Sequence, residues 1–189
     1  MGGFVGIDLA GSERRPSGWA FIDEDLVAHT ILVYRDEGIL RKTLEVRPSV
    51  VAIDAPLSYP KSGHFRKADL MLKRIGYGVL PTTFSGMSML TERGIRLAEK
   101  LREHGVEVIE THPRSARKAM GIDAANPEEV QKAFLRLGIR GALEERKLSP
   151  HELDALTAAY TALAYVEGNV VLIGDSEEGY IVLPRGVVY

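Results

Sequence analysis

Phe4-Val5-Gly6-Ile7-Asp8 sets four apolar or small residues in an unbroken run and closes them with an acid. A short continuous apolar run bounded by turn residues is the pattern of a strand buried on both faces. Gly11, Ser12, Pro16, Ser17 and Gly18 follow and mark a loop. Outward from there, Trp19-Ala20-Phe21-Ile22 and residues 26–34 read as two more strands around the turn Asp23-Glu24-Asp25, so the chain begins with a three-strand antiparallel meander. Ile39, Leu40 and Leu44 then recur at helical spacing until Pro48, and Val50-Val51-Ala52-Ile53-Asp54 forms a fourth strand. Like the first, it ends on a carboxylate.

Residues 56–91 break this regularity, with Pro56, Pro60, Gly63, Gly76, Gly78, Pro81 and Gly86 around the basic stretch Phe65 to Arg74, and are expected to be an insertion or lid. A helix over about 87–104 leads through Gly105 to a fifth strand, Val106-Glu107-Val108-Ile109-Glu110, again closed by an acid. Short helices are expected over 114–120 and 127–137. Ser149-Pro150-His151-Glu152 has the form of a capping box with proline at the first helical position, so a helix starts there and runs to about Glu167. Asp154 lies in its first turn, with Thr157, Ala158 and Thr161 on the same side; such small neighbours allow close packing on a sheet. The tail, 170–173 and 180–183 around Gly174 to Gly179, reads as a hairpin.

The 189 residues suit one domain, and the hydrophobic fraction of 45% with 26% charged residues excludes extensive disorder. Zero cysteines exclude disulfides, thiolate metal sites and cysteine nucleophiles, so any metal must bind oxygen or histidine. The first residues lack the basic and apolar regions of a signal peptide, and no apolar run is long enough to span a membrane; a cytoplasmic protein is expected. The net charge of −2 hides segments of opposite sign. Residues 61–104 hold nine Lys/Arg against four Asp/Glu, and 114–147 eight against five, while 1–60 and 148–189 come to −3 and −5. A phosphate-bearing partner, nucleic acid or nucleotide, fits the basic middle, with its chemistry beside acids supplied by the ends; a solvated helical surface is the plainer reading.

Three antiparallel strands, helix, strand, helix, strand and a late helix is an order that resembles the ribonuclease H-like fold. The likeness sharpens at Gly6-Ile7-Asp8-Leu9-Ala10, Ile53-Asp54-Ala55-Pro56-Leu57, Glu110-Thr111-His112-Pro113-Arg114 and Asp154-Ala155-Leu156, which together resemble the domain of unknown function 429 family, predicted to be nucleases. The resemblance implies an α/β fold with a mixed five-stranded sheet flanked by helices, carrying the basic insertion after the fourth strand and the C-terminal hairpin. It also implies that the first and fourth strands lie side by side, so that Asp8 and Asp54 share a cleft approached by Asp154.

Carboxylates crowded in this way are costly unless a cation neutralises them or one stays protonated. Hard oxygen ligands suit Mg²⁺ or Mn²⁺, and two such ions can activate water and stabilise the leaving oxygen of a phosphodiester. The catalytic candidates are accordingly Asp8, Asp54, Glu110 and Asp154. Asp8 would bridge two ions, Asp54 and Asp154 would each complete one, and Glu110 would be a fourth ligand or orient the water. Arg66, Lys67 and Arg114 are the substrate-binding candidates, through the phosphate.

Plainer readings stand beside these. An acid after a strand is often a helix cap or turn residue, Glu152 reads as the capping-box acid, and Arg114 equally suits an ion pair with Glu110. His112 is either a ligand or proton carrier or a structural histidine held by Pro113, and the other histidines carry no signal. Phe65, Tyr77 and Phe84 are the candidates for base stacking. Gly6 to Ser12 also looks like the phosphate loop of actin-like and sugar-kinase-like ATP-binding proteins, and a non-catalytic binding module is a further alternative. A dinucleotide binder is disfavoured, because the Gly-x-Gly-x-x-Gly turn is missing.

Overall fold

The computed structural model describes residues 2–122 and 126–186. Its elements are, in order, β1 (Phe4–Asp8), β2 (Ser17–Ile22), β3 (Val27–Val33), α1 (Asp36–Glu45), β4 (Val50–Asp54), α2 (Lys67–Arg74), α3 (Ser85–Glu103), β5 (Glu107–Thr111), α4 (Pro113–Ala119), α5 (Pro127–Arg136), β6 (Arg140–Gly141), α6 (Ala142–Glu145), α7 (Pro150–Val166), β7 (Val170–Asp175) and β8 (Gly179–Pro184). The strands form one mixed sheet in the order β6-β3-β2-β1-β4-β5-β8-β7.

The meander β1-β2-β3 is antiparallel, and β4 joins β1 in parallel with Asp8 level with Asp54. β5 continues in parallel beside β4. The sheet is larger than the five strands expected. β8 of the C-terminal hairpin adds to β5, which would otherwise leave a row of backbone groups unpaired at the sheet edge, and the two residues of β6 add to β3. Among the described residues no helix is long and apolar enough to cross a membrane.

Alternation along the central strands sorts their side chains between two cores. Val5, Ile7, Val51, Ile53 and Val108 pack with Ile39 of α1 and with Leu97 and Leu101 of α3. Phe4, Val50, Ala52 and Ile109 pack on the other face with Ala158 and Ala162 of α7. Asp8 and Asp54 share the parity of Phe4 and Val50, so the same alternation assigns them to the α7 face.

The capping box expected at the start of α7 is present. Ser149 N–H donates to Glu152 Oε2 at 3.0 Å, and Glu152 N–H donates to Ser149 Oγ at 3.3 Å. From this fixed start the helix runs across β1 and β2 in direct backbone contact. A Cβ added at Gly6 would lie 2.0 Å from the carbonyl oxygen of Ala155, and one added at Gly18 would lie 2.0 Å from that of His151. Both distances are impossible for a side chain. The two glycines therefore let α7 sink onto the strands, and this depth brings its first turn level with the ends of β1 and β4.

The basic part of the segment expected as an insertion or lid is anchored. Ala68 and Leu72 of α2 are buried against Ile173, Ile181 and Leu183 of the hairpin. The backbone N–H groups of Lys61 and Lys67 both donate to Glu178, each at 2.7 Å.

Candidate active site

A cavity of about 570 Å³ opens at the carboxyl ends of β1, β4 and β5, with Asp8, Asp54 and Glu110 in its wall. Burial pushes the Asp8 carboxyl up to about 6; its hydrogen bond to His151 opposes the shift and the negative charge of Asp154 adds to it. Asp54 is raised well above the usual carboxylate range, first by burial and then by Asp8, Asp154 and Glu110. No hydrogen-bond donor reaches its carboxylate among the described residues.

Two side chains, His151 and Arg117, already meet the neighbouring acids. His151 Nδ1 lies 2.6 Å from Asp8 Oδ2. The Arg117 guanidinium, buried on α4, bonds to Asp154 and also donates to Thr157 Oγ1 at 3.0 Å, while its Nε has no partner among the described residues. Among the described residues no group of three or more His, Asp or Glu side chains is positioned to hold a metal ion.

Glu110 belongs to a different cluster. β5 is in register with β4 such that Ile53, not Asp54, lies level with Glu110. Glu110 therefore takes the parity of Val108 and the opposite face of the sheet from Asp54. There it accepts from Arg66 Nη1 and Nη2 at 2.7 and 2.6 Å and from the Leu57 N–H at 2.8 Å. Both oxygens are occupied, unlike those of a fourth ligand or a water-orienting acid. Burial still raises its pKa, against the opposing pull of Arg66.

Arg66, expected on the surface as a phosphate contact, is 1% exposed. It is the shared cation of Glu110 and Asp69, whose Oδ1 accepts from Nη2 at 2.9 Å. A guanidinium taken out of water needs well-placed carboxylates to offset its lost hydration, and Glu110 and Asp69 supply them. Lys67 stays exposed but lies 2.5 Å from Asp175 and 3.5 Å from Glu177 of the hairpin. Arg114 is exposed at the cavity wall, and the ion pair with Glu110 considered for it is made by Arg66 instead. His112 occupies the position just before α4, with Nδ1 2.6 Å from Ser115 Oγ, and burial lowers its pKa.

The sequence reading missed Arg117 and His151. His151 precedes Asp154 by three residues and so lies on the same side of α7, a spacing that carried the information. Arg117 carried no such mark, because its partner is on a helix distant in sequence.

A mixed sheet in which β4 lies between two parallel neighbours, with an acid at the ends of β1 and β4 and a late helix crossing them, is a ribonuclease H-like fold. Two solved structures of RuvC from Thermus thermophilus share it. One is described as the RuvC structure, with TM-score 0.53 and 19% identity over 87% of this chain and 95% of that one. The other is RuvC in complex with a Holliday junction substrate, with TM-score 0.57 and 20% identity over 87% and 96% of the respective chains. The family model described as protein of unknown function (DUF429) matches residues 6–178, and the chain belongs to this family. A search of curated proteins finds no match.

Proposed function

We infer that this protein is a divalent-metal-dependent phosphodiester hydrolase, a nuclease, working at Asp8, Asp54 and Asp154. The observation that carries this reading is the level pairing of Asp8 with Asp54 on adjacent parallel strands, with Asp54 left without a donor among the described residues and raised by the acids around it. The fold shared with a RuvC solved on a Holliday junction substrate adds support.

The donor set fits Mg²⁺ or Mn²⁺ in its chemistry: three oxygen acids, no sulfur, and a repulsion that a cation would relieve. Asp8, Asp54 and Asp154 would hold the ion, which when bound supplies a Lewis acid for the phosphodiester and lowers the pKa of a bound water. Arg117 and His151 meanwhile hold two of the acids, and both would have to yield or share them when the ion enters. Arg114, which lines the cavity, would grip a phosphate.

The test is cleavage of duplex, single-stranded and junction DNA, of RNA and of nucleotides in Mn²⁺ or Mg²⁺, with chelator controls. Asp8→Asn is expected to lower the rate by on the order of 10²-fold or more, because it removes a ligand and not merely a supporting contact. Cleavage that persists in chelator, or full activity in Asp8→Asn, would defeat the reading.

A further inference from the structure

The cavity has a second character besides its acids. Leu9, Val79, Leu80, Met87 and Leu90 supply an apolar wall alongside the carboxylate ends of the strands. Val79 and Leu80 come from the segment between α2 and α3, and Met87 and Leu90 from the first two turns of α3. Leu80 is 60% exposed, a large apolar side chain left in water at the edge of an acidic site. At about 570 Å³ the space falls within the range of about 300–1,000 Å³ typical of sites that enclose a small ligand.

One unpaired nucleotide matches this combination. Its phosphate would meet Arg114 and the acid-held ion, while the flat apolar faces of its base would lie on the leucine, valine and methionine wall. A base inside a duplex has both faces covered by its neighbours and cannot enter such a space without leaving the stack.

Among the aromatic stacking candidates, the exposed Phe84 supports the same reading. Of the three stacking candidates, Phe65 has Lys73 Nζ 4.0 Å from its ring centre and Tyr77 has Lys118 Nζ at 4.8 Å, so each already has a cation over one ring face. Phe84, at the N-cap of α3 just ahead of Met87, is 62% exposed. It is available to stack on a neighbouring base.

We propose that the substrate is single-stranded or frayed nucleic acid, one nucleotide of which enters this cavity with its base on the apolar wall. The proposal rests on the hydrolase reading for the direction of the phosphate.

The experiment measures fluorescence anisotropy of a labelled short oligonucleotide, single-stranded and as a blunt duplex, in Ca²⁺ and in chelator. Cleavage in Mn²⁺ is followed in parallel. The single strand is expected to bind at least about tenfold more tightly than the duplex, and Leu80→Asp and Phe84→Ala each to weaken strand binding by about fivefold or more, as loss of a base contact does. Both side chains are exposed, so the variants keep the fold, and circular dichroism verifies this. Equal binding of duplex and strand, no binding of either, or unchanged affinity in both variants overturns the proposal whatever is cleaved. Strand-selective binding lost in the variants, without cleavage under any condition, upholds the cavity assignment and removes the hydrolase reading instead.

Discussion

Asp54 ends β4 and Glu110 lies one residue before the end of the adjacent parallel strand β5, and burial raises the pKa of both, yet only Glu110 has a cation bonded to it. On one face of the sheet, Arg66 lies between Glu110 and Asp69 and satisfies both with four guanidinium hydrogen bonds. On the other face Asp8, Asp54 and Asp154 share a peripheral histidine and one arginine, and the middle acid has neither. The first arrangement is complete within the protein. The second is short of positive charge. Acids left in deficit beside a cavity are candidates for holding a ligand, whereas the Arg66 cluster has its counter-ion built in.

The largest effect should come from breaking the complete cluster. Arg66→Met strands two buried carboxylates and is expected to cost about 3–5 kcal/mol in urea unfolding, with part of the loss recovered when Glu110→Gln is added. A loss below about 1 kcal/mol would mean that Arg66 is dispensable and would remove the contrast between the two faces.

Acid titration offers a second comparison, using another complete cluster away from the cavity. Glu152 is buried, which alone would raise its pKa, but hydrogen bonds from Arg146, Ser149 and Thr30 bring it down to about 2. Its folded pKa lies below the ordinary 4.5. Its contribution is therefore present above the unfolded pKa and lost as the pH falls through the folded one. Unfolding measured between pH 5 and about pH 2 should show a loss of about 2 kcal/mol, reduced for the solvent around half-exposed Arg146, that is absent in Glu152→Gln. The same slope in wild type and variant would show that other groups carry the acid sensitivity.

The smallest effect has the opposite sign. Asp54→Asn removes from the cluster in deficit a carboxyl whose charged form burial and the neighbouring acids already disfavour, so stability without metal should hold or rise by about 1 kcal/mol while activity is lost. Marked destabilisation would identify Asp54 as a structural acid and return the site to the reading of a turn or cap residue.

The order of the main elements and the strand ends that carry acids were legible in the sequence, because apolar runs, prolines and the Ser149-Pro150-His151-Glu152 cap are local signals. The burial of Phe4 to Ile7 and Val50 to Ile53 follows directly from their composition. The sequence also brought out the motifs of the family to which the chain belongs. Which charges meet was not legible there and emerged only in the folded chain. Glu110 looked equivalent to Asp54, each an acid at the end of an apolar strand, until the register of β5 against β4 turned it to the other face. Arg66 looked like a surface cation until the fold enclosed it with Glu110, 44 residues away. The hairpin gave no sign that it would extend the sheet beside β5, nor did Arg117 that it would reach Asp154. Strand parity is local, but register and ion pairing depend on segments far apart in the chain, and one residue of slip reverses the face on which every side chain of a strand emerges.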